Sequence, residues 1–92
     1  MKTLNEQESE GRVRAFYVHA RPMLDENAKA AVEHYLGHDE FEMAFEGICI
    51  EMVKSGSLSR DGAAPFIELA LALGLDTEAS FDEQIVAKLK AI

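Results

Sequence analysis

The chain has 92 residues, 48% apolar and 28% charged, with seventeen acidic side chains against nine Lys and Arg and a formal net charge of −8. That length supports one domain around one core, and so apolar a composition excludes a disordered acidic tail. The charge argues against nucleic acid or an anionic membrane as the direct ligand, because phosphates are repelled along most of such a surface.

Every long segment carries the helical period and none alternates at period two, so the spacing predicts an all-α fold. Thr3-Leu4-Asn5-Glu6 has the form of a capping box, opening a first helix that runs to about Ala20 with Val13, Phe16, Tyr17 and Ala20 inward. Gly11 weakens its first half, so residues 1–10 are expected to fray. Pro22 ends it. Asp25 is the N-cap expected for a second helix carrying Ala28, Ala31, Val32, Tyr35 and Leu36, with Gly37 placed to terminate it. Asp39 opens the third helix, whose core stripe is Phe41, Ala44, Phe45, Ile48 and Met52, and Gly56 closes it. Ser59 or Asp61 caps a fourth helix. Pro65 favours Asp61, since proline is tolerated near a first turn and disfavoured further in. Phe66, Leu69, Ala70 and Leu73 form its buried face, and Gly74 ends it. Ser80-Phe81-Asp82-Glu83 reads as a second capping box, opening a last helix with Phe81, Ile85, Val86 and Leu89 inward. The expected architecture is a single bundle or orthogonal array of four to five short helices spanning residues 1–92.

Charge is distributed unevenly along this frame. Asp25, Glu26, Glu33, Asp39, Glu40, Glu42, Glu46 and Glu51 crowd into the stretch from Asp25 to Lys54, relieved there only by Lys29 and Lys54. A single-signed surface focuses potential and speeds capture of the opposite charge. With Asp39 at zero on the third helix, Glu42 falls at about 300°, Met43 at about 40°, Glu46 at about 340° and Ile50 at about 20° by the helical period. Three carboxylates thus share a face with two apolar residues, and Glu42 and Glu46 repel at i, i+4 with no basic residue between. An acidic ring around an apolar centre has the form of a protein interface. The competing reading is a solvated acidic face with Met43 and Ile50 covered by another helix.

Other chemistries are poorly served. His34 and His38 have a zinc-compatible spacing, but Gly37 lies between them and no third ligand follows at ligand spacing, so no metal site is expected. Cys49, on the edge of the core stripe, is expected to pack as a small hydrophobe and has no disulfide partner. No nucleophile elbow, phosphate-binding loop or His-Glu-x-x-His motif is present, which argues against an enzyme. The loop around Ser57 invites comparison with an acyl carrier, but Gly56 stands where the carrier's motif has Asp; no cofactor is expected. The N-terminal segment lacks a signal-peptide core and the longest apolar run, LALALGL, is far short of a span, so a cytoplasmic protein is expected.

The pattern His34-Tyr35-Leu36-x-His38-x-Glu40-Phe41-Glu42-x-Ala44-Phe45-Glu46, with Leu58-Ser59 before a helix and Gly74-Leu75 after it, resembles the small helical immunity proteins of bacterial toxin systems. The resemblance is in particular to the Maf-type and contact-dependent growth inhibition immunity families. Phe45, in place of an aliphatic, and Gly47 in mid-helix depart from that pattern. The resemblance implies an inhibitor of a cognate toxin's C-terminal domain, a basic nuclease whose substrate groove an acidic face would mimic, with the free protein a monomer or weak dimer. The contact set expected on this reading is Asp39, Glu42, Met43, Glu46 and Ile50, with Glu33 and Asp25 at its rim. The alternative is an adaptor domain of a cytoplasmic regulator, whose binding would depend little on salt.

Overall fold

A computed structural model describes residues 3–92 of the chain. Five α-helices follow one another: α1 Glu6–Ala20, α2 Glu26–Gly37, α3 Phe41–Ser55, α4 Arg60–Ala72 and α5 Ile85–Lys90, with a 3₁₀ turn at Arg21–Met23. No strand occurs among the described residues. The central element is α3, against which α1, α2 and α5 pack, while α4 lies on α5. The whole measures 30 × 29 × 20 Å.

The periodicity of α3 explains its central place. Phe41, Ala44, Phe45, Ile48 and Met52, the stripe expected from the spacing, are all buried, and Cys49 joins them. Phe45 stacks on Phe66 of α4 with centroids 5.9 Å apart, and Phe16 of α1 closes edge-on against both at 5.1 and 4.9 Å. Such aromatic clusters contribute about 0.5–1.5 kcal/mol per pair beyond the area they bury. The remaining faces agree with their spacing: Val13, Tyr17 and Ala20 on α1, Ala28, Val32 and Leu36 on α2, Phe66, Leu69 and Ala70 on α4, Ile85, Val86 and Leu89 on α5.

Several boundaries differ from those expected. Asn5, not Thr3, caps α1: its side chain accepts from the Glu8 N–H at 2.8 Å while the Glu8 carboxylate accepts from the Asn5 N–H at 3.3 Å. Thr3 is used elsewhere, its N–H donating to the Ala72 carbonyl at 2.8 Å and tying the chain start to the end of α4. Residues 6–10 are helical behind that capping box. Ser59, not Asp61, caps α4, accepting from the Gly62 N–H at 3.0 Å. Pro65 then lies inside the helix, at an exposed position.

Gly37 is the last residue of α2 rather than its terminator. The left-handed residue that ends this helix is Asp39, at φ 58°. The Glu40 N–H reaches back to the Tyr35 carbonyl at 2.9 Å and the Asp39 N–H to Leu36 at 3.3 Å, the hydrogen-bond pattern of a Schellman motif. At the ends of α3 and α4 the same position is filled by Gly56 and Gly74, at φ 68° and 79°. Asp39 was expected to open α3; instead it closes α2, and Glu40 is the residue preceding α3.

Candidate partner-binding site

The largest departure concerns Glu46. Its place on the polar side of α3 predicted a solvent-facing carboxylate, but the residue is 0% exposed. The segment leading into α5 crosses α3 at this point and closes over it. Glu46 Oε1 accepts the Ser80 N–H at 2.7 Å, and Oε2 accepts those of Phe81 at 2.7 Å and Asp82 at 2.6 Å. Successive backbone N–H groups pointing into one concavity form an anion nest, and here the anion is supplied by the chain itself. Burying a carboxylate is tolerable only with such compensation. The helix expected to begin at Ser80 therefore begins at Ile85, because the N–H groups of residues 80–82 are committed to Glu46 instead of a helical turn. Phe81 is turned outward as a consequence and is 48% exposed, contrary to the inward position its spacing predicted.

The strap formed by Ser80, Phe81 and Asp82 divides the face that the helical wheel drew as continuous. On one side Asp39, Glu42 and Met43 share a concavity of about 380 Å3 with Glu40, Leu73, Glu78 and Ser80. On the other side Ile50 lines a separate hollow with Phe81. Asp82 contributes to a third beside Lys88, whose ammonium lies 2.7 Å from its carboxylate. That hydrogen bond, followed by one from the Gln84 N–H, holds Asp82 below the usual carboxylate range.

The two rim residues lie elsewhere again. Glu33 accepts a hydrogen bond from the Tyr17 hydroxyl at 2.5 Å and has the Arg21 guanidinium 3.8 Å away. Burial, then this bond, raises Tyr17 above the ordinary phenol value. Asp25 accepts the Ala28 N–H at 2.8 Å and caps α2. Of the seven residues expected to touch a partner, Asp39, Glu42 and Met43 stay together, Ile50, Glu33 and Asp25 are dispersed, and Glu46 is withdrawn from the surface.

Two members of the acidic concavity escaped the sequence reading. Glu40 is visible in the sequence as one of the eight acids between Asp25 and Lys54, but nothing there places it beside Met43. Glu78 could not be assigned, because only the return of the chain from α4 brings it beside Met43. The usable signal was Gly74, whose left-handed turn ends α4 and leads directly into the acidic run that holds Glu78.

The rings of His34 and His38 are 4.5 Å apart between centroids, and among the described residues no three His, Cys, Asp or Glu side chains are placed so that they could hold one metal ion. Burial pushes the Cys49 thiol far above its usual range, with the neighbouring Glu46 carboxylate adding to the shift. A thiol held in its protonated form is a poor nucleophile. No described helix is long and apolar enough to cross a membrane. No protein-family model, no curated protein and no solved structure matches the chain.

Proposed function

We propose that this chain is a non-enzymatic binding protein that takes a cationic surface of a partner protein into the acidic concavity beside Met43. The partner proposed is a basic toxin domain, a nuclease, which the chain neutralises as an immunity protein. The observation that carries the reading is the convergence of four carboxylates, Asp39, Glu40, Glu42 and Glu78, around Met43 and Leu73, from two segments far apart in the sequence. The exposed Asp39, Glu40 and Glu78 are like charges in one concavity and repel one another, so fold stability alone does not ask for their arrangement. An incoming Lys or Arg relieves that repulsion, while Met43 and Leu73 offer apolar surface at the centre, as interfaces do. Electrostatic steering raises the association rate and the apolar centre slows release. Two copies would bring like charges together across a two-fold axis, which favours a monomer in the free state.

The resemblance to immunity proteins supplies the toxin part of the proposal, and the charge supports it. A carboxylate cluster of this kind presents to a nuclease groove the same sign of charge as its phosphate substrate. The decisive experiment is affinity capture from the native host at low and at high salt, with mass spectrometry of what is retained. Recovery of a basic toxin domain, weakened by salt, is the expected result. Capture of a neutral partner indifferent to salt would sink the proposal in favour of an adaptor.

A further inference from the structure

Across the strap from the acidic concavity, α2, α3 and the strap enclose a hollow of about 220 Å3. Tyr35 and Phe81 stand at one side, their ring centroids 5.6 Å apart, and Ala31, Gly47 and Ile50 complete an apolar lining with Glu51 at its edge. The volume is below the range of small-molecule pockets and suits a single side chain.

Packing within the fold does not account for two features of this hollow. The first is Gly47, in the middle of α3, where glycine weakens a helix relative to alanine. A Cβ built there would meet only Val32 Cγ2, at 3.8 Å, an ordinary contact, so packing within the chain does not require glycine. What the missing side chain provides is open helix backbone at the surface of the hollow. The second is Phe81, 48% exposed on a strap that the three bonds to Glu46 hold in place. An aromatic wall fixed in that way offers contact area at little ordering cost. The Glu51 carboxylate has no ion-pair or hydrogen-bond partner among the described residues, in a chain of net charge −8.

We propose that this hollow receives one large apolar side chain, aromatic or leucine-like, from a basic segment of a partner protein, with a flanking lysine or arginine set against Glu51. The inference takes the positive charge of the partner from the function proposed above and adds a second, apolar point of attachment across the strap.

The test uses the full chain, isotope-labelled for NMR, and two synthetic peptides: a short run of lysines around a central phenylalanine, and the same peptide with alanine at the centre. The phenylalanine peptide is expected to bind at least tenfold more tightly and to shift the amide signals of Gly47, Ile50 and Phe81. Gly47→Ala is expected to remove most of that tenfold preference while the protein melts at the same temperature or higher. Equal binding of the two peptides would overturn the proposal. So would a preference that Gly47→Ala leaves intact, or shifts of the same three signals with protein concentration alone, which would mean that a second copy fills the hollow. Phenylalanine-dependent shifts at the hollow, with no response at Asp39, Glu40 or Glu78 to either peptide, would support this inference and count against the acidic concavity as the partner's docking point.

Discussion

The carboxylate of Glu46 in α3 accepts the backbone N–H of Ser80, 34 positions further along the chain, at 2.7 Å. With the neighbouring bonds from Phe81 and Asp82, this contact fixes three consecutive residues that each line a different concavity of the surface. One buried side chain thus positions the borders of three surface sites while touching solvent at none of them.

Removing it is expected to cost much more than removing an exposed acid. Glu46→Ala leaves three N–H groups without their acceptor and should destabilise the fold by about 3 kcal/mol or more, from the strength of hydrogen bonds to charged groups and the penalty for orphaned donors. Glu46→Gln keeps one acceptor oxygen and should cost less, about 2 kcal/mol. Urea denaturation gives the magnitudes. Amide exchange gives the location: Ser80, Phe81 and Asp82 should lose protection in Glu46→Gln before the core of α3 does. Protection unchanged at those amides would refute the positioning role.

Asp39 presents the opposite case, a residue the fold would replace. Its φ of 58° suits glycine, which fills the same position after α3 and α4. Asp39→Gly should therefore stabilise the protein by about 0.5–1 kcal/mol through relief of the left-handed strain. It should also weaken capture of a cationic partner, having removed one of the four carboxylates. A melting temperature that falls in Asp39→Gly would show that the aspartate contributes more to folding than its backbone geometry takes away.

The acidic concavity can be tested without disturbing the core, because Glu40 and Glu78 are both exposed. The double variant Glu40→Lys, Glu78→Lys should fold normally by circular dichroism and lose at least tenfold in affinity for the captured partner, equivalent to about 1.4 kcal/mol. The dependence of binding on salt should flatten in parallel. Reversing Glu42 together with Glu46 would not serve this purpose, since burial of Glu46 makes that variant unfold the strap.

Helix capping offers a local check on α4. Ser59→Ala removes the acceptor of the Gly62 N–H and should cost about 1 kcal/mol. Asp61→Ala, by contrast, removes no cap and only a first-turn charge, so its effect should stay within about 0.5 kcal/mol. Equal effects of the two substitutions would contradict the observed start of the helix.

Cys49 sets the alkaline behaviour. Its thiol is held protonated by burial and by Glu46, so its folded-state pKa exceeds the unfolded value. The folded chain then binds the proton more tightly than the unfolded one. That contribution to stability is complete below the unfolded thiol pKa and declines as pH rises above it. Stability measured by denaturation should accordingly fall above about pH 8.5 in the native sequence, and less steeply in Cys49→Ala. Alkylation of Cys49 at pH 9 should proceed only as fast as the protein unfolds.

The helices and the core of this protein follow from its sequence alone. Apolar spacing located α1 to α4, the buried stripe of α3 and the inward faces of α5, because each of those patterns is read over a few neighbouring residues. The caps at Asp25 and Gly56 were legible for the same reason. The site was not. A helical wheel assigns every carboxylate on the polar side of α3 to water, since burial of a lone charge is prohibitive. What reversed that assignment for Glu46 is a set of backbone donors 34 to 36 positions away, and backbone N–H groups leave no mark in the identity of the residues that carry them. The same crossing of the chain brought Glu78 to Met43, parted Met43 from Ile50 and turned Phe81 outward. Local periodicity thus determined which segments are helical, and long-range hydrogen bonding decided which of their charges remain available to a partner.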